Sequence, residues 1–347
     1  MLEVLKNQIA IGDETIGKDR RPYIIAEIAC AHDGDYDRAK ALIDAATNAK
    51  ADAVQLQFFD LDEVVTPHHE VFDLLKTITF SPDQWTELFV YARTKDIHVW
   101  VCTYDLPSVE LAIKLGADGI KLNSSDLSNP EVVERVAQSG IPFTLGTGAS
   151  TLEEINNGLQ LAVAHGAKEI VLMHGVQNFP TRTEDLNISR ITLLKDVFGV
   201  PVGYHDHTDG DDPFAQMVDL IAVGFGADII EKHLTIDRSA KGTDYQAALE
   251  PDEYAEFVAR LHRAHIAYGS KELRPFSTSD LKYRKFQKKS VVTAHPLKAG
   301  SVIARSDVKF IRNTVPGLAP IDFRLVEGKK LKHDLDAFAN ILESDTE

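Results

Sequence analysis

The amino-acid sequence predicts a (β/α)8 barrel followed by a small β-rich module. The first observation is a recurring phrase in which a small residue precedes a continuous apolar run, as expected of parallel strands buried on both faces. Counted between Ala51, Ala117, Ala167 and Ala227, the repeats are 66, 50 and 60 residues apart. These spacings are close to twice the length of a βα unit.

The second observation is that helical patterns alternate with the strands. Four more short apolar runs lie between the repeats, at residues 23–28, 98–102, 142–146 and 202–204. Helical patterns occupy residues 36–48, 82–94, 130–138, 152–165, 213–225 and 252–268, and Ser81 before Pro82 is typical of a helix start. Eight strands alternating with helices favour a closed barrel over the alternative, an open doubly wound sheet.

The third observation is a change of pattern after residue 268. Residues 270–286 are polar and include Pro275, and from Ser290 two short strand-like runs, SVVTA and VKFIR, alternate with turns. We therefore predict a barrel domain at residues 1–270, a linker at 271–287 and a β-rich domain at 288–347. The last domain has about 60 residues, near the lower limit for independent folding, so we expect it to pack against a larger body.

Composition argues against several classes of partner and location. The net charge of −16 argues against nucleic acids and anionic membranes. No apolar run reaches the roughly 18 residues of a membrane span, and the N-terminal MLEVLKNQ lacks the apolar core of a signal peptide. Because Cys30 and Cys102 make no disulfide framework, we expect a cytoplasmic protein in which both are buried packing residues.

One stretch departs from the acidic composition. Between residues 282 and 312, Asp307 is the single acidic residue, against Lys282, Arg284, Lys285, Lys288, Lys289, Lys298, Arg305, Lys309 and Arg312. Such a run is most often a solvated surface. The alternative is that it brings positive charge to an anionic ligand.

Two histidines near the end of the predicted barrel are candidate metal ligands. His207 and His233 lie in the triplets HDH and EKH, each of which directly follows an apolar strand-like run. At the same end of adjacent parallel strands, two neutral imidazoles can converge on one ion. Imidazole with oxygen ligands and no thiolate suits manganese, zinc or iron. Alternatively, the two rings are bonded to the neighbouring carboxylates of Asp206 and Glu231.

The other predicted strand ends are polar as well, which is where barrel enzymes carry their active sites. They supply Glu27, His32, Asp33, Gln55, Gln57, Thr103, Asp105, Lys121, Asn123, Ser124, Asp126, Thr147, His174, Gln177, Asn178, His205 and Lys232. Polar groups on buried strands carry a desolvation cost unless they are partnered or functional. The set therefore predicts a binding site.

Within this set, Lys121 is the candidate for binding an anion. An ammonium followed by Asn-Ser-Ser offers charge, hydroxyls and backbone donors to a phosphate or carboxylate. The alternative is a buried lysine paired with Glu27 or Glu231. Asp244, in the loop GTDYQAALEP, is a weaker candidate for hydrogen bonding to a polyol.

The motifs in this order resemble one family, the sialic acid (nonulosonate) synthases. The resemblance rests on IAEIACAHDG, KLNSSDLSNP, LGTGAS, HDHT, EKHLTID and GTDYQAALEP, and covers about residues 8–345. The segment KSVVTAHPLKAGSVIARSDVKF resembles that family's C-terminal antifreeze-like (SAF) domain. Each motif is weak alone, and the ordered set is specific.

The resemblance implies a transferase reaction. Phosphoenolpyruvate would condense with an N-acylated hexosamine-type aldehyde, such as N-acetylmannosamine, and phosphate would leave by C–O cleavage. It also implies a divalent ion on His207 and His233, manganese with magnesium or cobalt as alternatives, that polarises the aldehyde. Glu27 would position or deprotonate water.

The same resemblance assigns binding residues and an assembly. Phosphoenolpyruvate contacts fall on Thr103, Lys121 and Ser124, and sugar contacts fall on Gln57, Asp126 and Asp244. The family is typically a domain-swapped homodimer, in which an arginine of the SAF domain caps the partner's site. Arg312 is the nearest match.

Several positions of the substrate pocket depart from the family pattern. A family lysine is replaced by Gln55, family serines by Gly146 and His205, and the family's Asn and Tyr after the sixth strand by Gln177 and Phe179. Arg312 is also separated from the Pro-Gly that normally follows it. His205, as an imidazolium, is a candidate to replace the charge lost at Gln55. Two alternatives are a barrel enzyme that uses another aldose or enol, and a non-catalytic sugar-binding protein.

Overall fold

Eight parallel strands close into a barrel. Each strand pairs with the next, and β10 pairs with both β9 and β3, so the ring has no free edge. In this computed structural model, which describes residues 2–269 and 272–347, the strands of the first unit are β1 (Gln8–Ile11), β2 (Glu14–Gly17), β3 (Tyr23–Glu27), β4 (Ala53–Phe58), β5 (His98–Thr103), β6 (Gly119–Leu122), β7 (Phe143–Gly146), β8 (Ile170–His174), β9 (Val202–Asp206), β10 (Ile229–Leu234) and β11 (Ala248–Leu249). The predicted closed barrel is confirmed, and the open sheet is excluded.

Helices follow the barrel strands and cover them. They are α1 (Tyr36–Asn48), α2 (Leu61–Val64), α3 (Phe72–Ile78), α4 (Pro82–Arg93), α5 (Leu106–Leu115), α6 (Pro130–Ser139), α7 (Leu152–Ala164), α8 (Arg190–Phe198), α9 (Ala215–Gly224) and α10 (Pro251–Tyr268). The predicted helix start at Ser81 is confirmed, because its hydroxyl accepts from the Gln84 amide while the Gln84 side chain accepts from the Ser81 amide. Among the described residues, no helix is long and apolar enough to cross a membrane.

Two barrel strands are longer than predicted. The apolar runs that indicated them stop at Tyr204 and Ile230, whereas β9 continues to Asp206 and β10 to Leu234. The strands continue through polar residues because Lys232 and Asp206 are register partners on neighbouring strands. The triplets HDH and EKH therefore lie largely within the barrel.

An antiparallel hairpin of β1 and β2 closes the amino-terminal end of the barrel. Ile9, Ile11 and Ile16 cluster with the apolar residues that line the lower lumen, including Trp100 and Met173. Their side chains are at most 1% exposed. The sequence analysis did not predict this hairpin, because β1 and β2 lie outside the alternating strand and helix pattern of the barrel.

The second compact unit comprises Ser270–Glu347, and the barrel unit comprises Met1–Gly269. Strands β12 (Lys289–Thr293) and β13 (Val308–Arg312) pair antiparallel, and helix α11 (Thr278–Gln287) lies within the segment predicted as a linker. The unit has an apolar core of its own, formed by Val291, Leu297, Ile303, Val308, Phe323, Val326, Leu331 and Ile341.

We predict that the hairpin contributes strongly to barrel stability. Ile16→Ala removes a fully buried side chain and should lower the free energy of unfolding by about 2 to 5 kcal/mol. Urea unfolding followed by tryptophan fluorescence measures this, because both tryptophans, Trp85 and Trp100, lie in the barrel unit. The matched control is Ile266→Ala, at a side chain that is 77% exposed. Equal stability of the two variants would contradict the prediction.

Candidate active site

Polar side chains form the upper layer of the barrel lumen. Side chains along a strand alternate between faces, and Ile25, Trp100 and Ile229 mark the lumen face because they cluster with the hairpin. One step further toward the carboxyl ends, the same face carries Glu27, Gln55, Cys102, Lys121, His205 and Glu231. The lumen is therefore apolar at its closed end and ionisable at its open end.

Lys121 holds two carboxylates together at the centre of this layer. Its Nζ lies 3.2 Å from Glu27 Oε2 and 2.5 Å from Glu231 Oε1. The Gln55 amide also donates to both carboxylates, to Glu27 and, at 3.2 Å, to Glu231 Oε2. The remaining Glu27 oxygen accepts from the amide of Ala29 at 2.7 Å. The structure thus places Lys121 in the paired arrangement that the sequence left as an alternative, with both partners at once.

The cluster is short of positive charge. Two carboxylates share one ammonium, and the fourth member, Gln55, is a neutral amide whose Oε1 is buried without a hydrogen-bond partner among the described residues. Burial raises the pKa of Glu27, and the nearby Lys121 only partly opposes this. Burial by itself would lower the pKa of Lys121, but the negative charges of Glu231 and Glu27 act more strongly in the opposite direction. The pKa of Lys121 is therefore raised overall, and its side chain stays protonated.

His207 and His233 face each other at the mouth of the lumen. Their ring centroids are 5.1 Å apart, and Phe179 packs against both rings, at 4.2 Å from His207 and 5.5 Å from His233. His207 Nδ1 is 2.7 Å from the Val176 carbonyl oxygen, so it carries the proton and Nε2 keeps its lone pair. Burial lowers the pKa of His207 to about 4 and that of His233 well below its ordinary value. Both rings are therefore neutral, the form that binds metal ions.

The alternative for these histidines was bonding to Asp206 and Glu231, and it is wrong. Asp206 is bonded to Lys232, and Glu231 is bonded to Lys121. Within residues 2–269 and 272–347, no group of three or more His, Cys, Asp or Glu side chains is arranged to hold a metal ion. The residues therefore fit an ion with two imidazole ligands, whose remaining ligands would be water or substrate oxygens.

His205 does not have the charge that the sequence analysis gave it. Burial lowers its pKa well below the ordinary value, and His207, Lys121 and His174 lower it further, so the ring is a neutral imidazole. It stacks on His207 with centroids 5.1 Å apart, and its Nε2 lies 3.4 Å from the Gln177 amide nitrogen. Its Nδ1 is buried without a partner in the part of the chain described. These surroundings disfavour an imidazolium, and the role of His205 toward a bound phosphate stays a prediction.

Two glycines give the site its shape, and the sequence analysis did not identify this role. A Cβ at Gly175 would lie 1.7 Å from the His205 ring, so the imidazole occupies the space that a side chain would need. A Cβ at Gly146 would lie 2.6 Å from the backbone nitrogen of Ser124. Glycine at 146 therefore lets the Ser124 turn approach β7 closely.

The other predicted binding residues lie in different surroundings. Ser124 and Gln177 line a cavity of about 480 Å³ that also includes Tyr104 and Asn123. Thr103 is completely buried, on the same face of β5 as Val101, which belongs to the core between the barrel and its helices. Its hydroxyl has no partner among described residues and is placed away from Lys121.

The three residues predicted to contact sugar are held by local bonds or burial. Gln57 donates to Cys30 Sγ at 3.2 Å, and Asp126 accepts from Ser125 at 3.0 Å. Burial, with the charge of Asp33 adding to it, raises the pKa of Asp244 to about 6. Arg312 lies in β13 of the second unit with an exposed side chain.

The fold and the site together define a barrel enzyme. A closed (β/α)8 barrel with buried ionisable groups of shifted pKa at the carboxyl ends of its strands is the usual arrangement of such enzymes. Fold alone does not specify a reaction, so comparison with known proteins supplies the next step.

The chain belongs to the NeuB family. The family's model matches residues 42–273, and that of the SAF domain matches residues 288–341. An uncharacterised protein of Methanocaldococcus jannaschii is 31% identical, covering 94% of this chain and 95% of its own length. N,N'-diacetyllegionaminic acid synthase of Legionella pneumophila is 29% identical, covering 94% of this chain and 95% of its own.

A solved structure is similar as well. The crystal structure of N-acetylneuraminic acid (sialic acid) synthetase from Leptospira borgpetersenii, in complex with citrate, has a TM-score of 0.74 and 30% identity. The match covers 80% of this chain and 96% of the synthetase chain. The predicted resemblance, the barrel and the SAF domain are therefore confirmed. The chain is an enzyme of this family, and the alternative of a non-catalytic sugar-binding protein is set aside.

We predict that Lys121 stabilises the barrel more strongly at alkaline than at acid pH. Lys121→Met leaves Glu27 and Glu231 buried without their shared cation, which should cost about 3 to 5 kcal/mol at about pH 8. Without the ammonium, the pKa of Glu27, which burial already raises, rises further. A carboxyl group whose pKa is raised in the folded protein stabilises the fold at pH values below its ordinary pKa. This stabilisation is lost as the pH rises through the pKa of the folded state. The deficit, which is the loss of unfolding free energy in Lys121→Met relative to the wild-type protein, should therefore shrink toward about pH 5.

Urea unfolding at both pH values measures the deficit. The matched control is Lys114→Met, at an exposed lysine of α5, which should change stability little at either pH. A deficit of Lys121→Met that does not change with pH would contradict the prediction.

Proposed function

We propose that this enzyme condenses phosphoenolpyruvate with an N-acylated hexosamine-type aldehyde to give a nonulosonic acid and phosphate. The observation that carries the proposal is the meeting of Lys121, Glu27 and the two histidines at one end of the lumen. Lys121 contacts Glu27, and Glu27 is the register partner of His233 on the neighbouring strand. Membership of a family that contains named synthases of nonulosonic acids supports the reaction class.

In this proposal the reaction forms a carbon–carbon bond and, from water, a carbon–oxygen bond, and it breaks the carbon–oxygen bond to phosphate. The aldehyde oxygen takes up a proton and becomes a hydroxyl. The enol carbon of phosphoenolpyruvate attacks the aldehyde carbon, water adds to the oxocarbenium carbon that results, and phosphate leaves with its bridging oxygen. Glu27 accepts a proton from the water, a role that suits a carboxylate whose pKa is raised by burial. Lys121 and Ser124 bind the anionic substrate through an ammonium and a hydroxyl.

His207 and His233 are proposed to hold a divalent ion, with manganese favoured and magnesium or cobalt as alternatives. Such an ion would supply Lewis acidity to the aldehyde oxygen. The side chains themselves keep neutral rings, and the bond from His207 Nδ1 to Val176 directs the free lone pair of Nε2.

The acceptor is proposed to lie toward Gln57, Asp126, Asp244, Gln177 and Phe179. N-acetylmannosamine and a 2,4-diacetamido-trideoxyhexose both fit the class of acylated amino sugar. A second candidate function is the same chemistry with another aldose or enol. The shortage of positive charge around Gln55 favours this second candidate. A cluster with one ammonium for two carboxylates attracts a trianionic substrate such as phosphoenolpyruvate less strongly than a cluster with a second cation would.

We also propose a domain-swapped homodimer in the cytoplasm, in which Arg312 reaches the partner's barrel. The exposed arginine in the basic stretch and the two free, buried cysteines support this assignment. Mass measurement in solution tests the dimer, and phosphoenolpyruvate affinity of Arg312→Ala tests the arginine.

The function is tested by phosphate release from phosphoenolpyruvate. The purified protein is mixed with N-acetylmannosamine, 2,4-diacetamido-trideoxyhexoses and unacylated aldoses, with manganese and after chelation. We expect phosphate release with an acylated amino sugar and manganese, and loss of release on chelation. Release only with an unacylated aldose would favour the second candidate, and no release with any sugar would contradict the proposal.

A further prediction concerns the charge shortage at Gln55. Gln55→Lys places a second ammonium beside Glu27 and Glu231, so the dissociation constant of phosphoenolpyruvate should fall by about tenfold, the effect of one favourable charge in a partly buried site. Isothermal titration calorimetry measures it, with Gln55→Met as the uncharged control. Equal affinity in Gln55→Lys and Gln55→Met would show that charge at this position does not limit binding.

A further inference from the structure

A second buried charged pair lies directly behind the two histidines, outside the lumen. Because side chains alternate along β9 and β10, Asp206 and Lys232 face the surrounding helices while His207 and His233 face the opening. Asp206 and Lys232 are register partners on the two strands, and their carboxylate and ammonium are in contact. Both side chains are at most 1% exposed.

Asp206 also accepts hydrogen bonds from residues on both sides of His207. Its Oδ1 accepts from the Tyr204 hydroxyl at 2.9 Å and from the Thr208 amide at 3.0 Å, and its Oδ2 accepts from the Thr208 hydroxyl at 2.7 Å. On the other strand, Lys232 directly precedes His233. One ion pair thus ties together the chain segments that carry the two imidazoles.

Stability alone does not account for this pair. The core around it is largely apolar, with Ile230, Leu234 and Val218 among its members, and Asp219 is a third buried ionisable group, 4.0 Å from Lys232. Exchanging a buried ion pair for apolar or neutral groups of similar volume is often neutral or stabilising, because two charges no longer have to be desolvated. An ion pair between register partners, in contrast, specifies which residues of two strands stand side by side.

We propose that the Asp206–Lys232 pair is a positioning device that sets the separation of His207 and His233, and thereby the affinity of this site for a divalent cation. The inference rests on the cation site of the proposed function. Neither Asp206 nor Lys232 touches the cation, since both act through the histidine that follows them in the chain. The strand pair needs such a device because two imidazole ligands leave the geometry of the site to the spacing of β9 and β10.

The test is the affinity for manganese of a charge-free pair, Asp206→Asn with Lys232→Met. Asparagine keeps an acceptor for Tyr204 and Thr208. Asp219, whose Oδ2 lies 4.0 Å from Lys232 Nζ, is a third buried group, and burial raises its pKa well above the usual range. It therefore stays protonated when Lys232 is replaced, and the barrel should fold. The dissociation constant of Mn²⁺ should rise by about 10- to 100-fold, the usual range for residues that orient metal ligands. Electron paramagnetic resonance of free Mn²⁺ measures it without substrates or turnover.

The matched control lies at the other end of the same two strands. Asp228, which directly precedes β10, accepts from the Val202 amide of β9 at 2.9 Å and pairs with Lys195 at 2.7 Å. Asp228→Asn should lower the urea midpoint of unfolding but leave the dissociation constant of Mn²⁺ within about twofold.

Wild-type affinity in the charge-free pair would overturn the inference, and so would equal weakening in Asp228→Asn, since that would indicate a general effect of destabilisation. A wild-type protein that binds no Mn²⁺ would overturn the inference together with the cation site of the proposed function. Weak Mn²⁺ binding confined to the charge-free pair would support it.

Discussion

The pairing of β10 with β3 is the constraint on which the site depends. It closes the ring, and it places Glu231 and His233 of the last strand beside Ile25 and Glu27 of the first. Lys121, from the far side of the barrel, then spans both carboxylates. Without closure these groups would lie at opposite edges of an open sheet, and neither the shared ammonium nor the approach of His233 to the cluster would exist.

Much of this arrangement could be predicted from residue patterns, because the buried parallel strands are short continuous apolar runs that recur along the chain and end in polar residues. The pair His207 and His233 was found in this way. The double bridge of Lys121 could not be found, since it depends on side chains more than 90 residues apart meeting across the lumen. The lowered pKa of His205 also escaped prediction, because it depends on burial and on His207, Lys121 and His174 around the ring.

Buried polar groups occur both inside the lumen and behind the barrel strands, and they have different roles. In the lumen, Gln55 and His205 leave polar atoms without partners in the described structure, as expected where a ligand supplies the missing bond. Behind the strands, Asp206 has four donors and leaves none of its oxygens unbonded. The lumen therefore keeps polar atoms available to a ligand, whereas the carboxylate of Asp206 behind the strands is fully bonded within the protein.

The β1–β2 hairpin restricts how molecules enter and leave the barrel lumen. Since Ile9, Ile11 and Ile16 seal the amino-terminal end, the lumen is a blind channel whose entrance, among the described residues, lies at the carboxyl ends of the strands. A molecule that reaches Lys121 therefore enters and leaves on the same side of the barrel. Molecules that share such a channel occupy it in sequence, and the deepest one is the last that can depart.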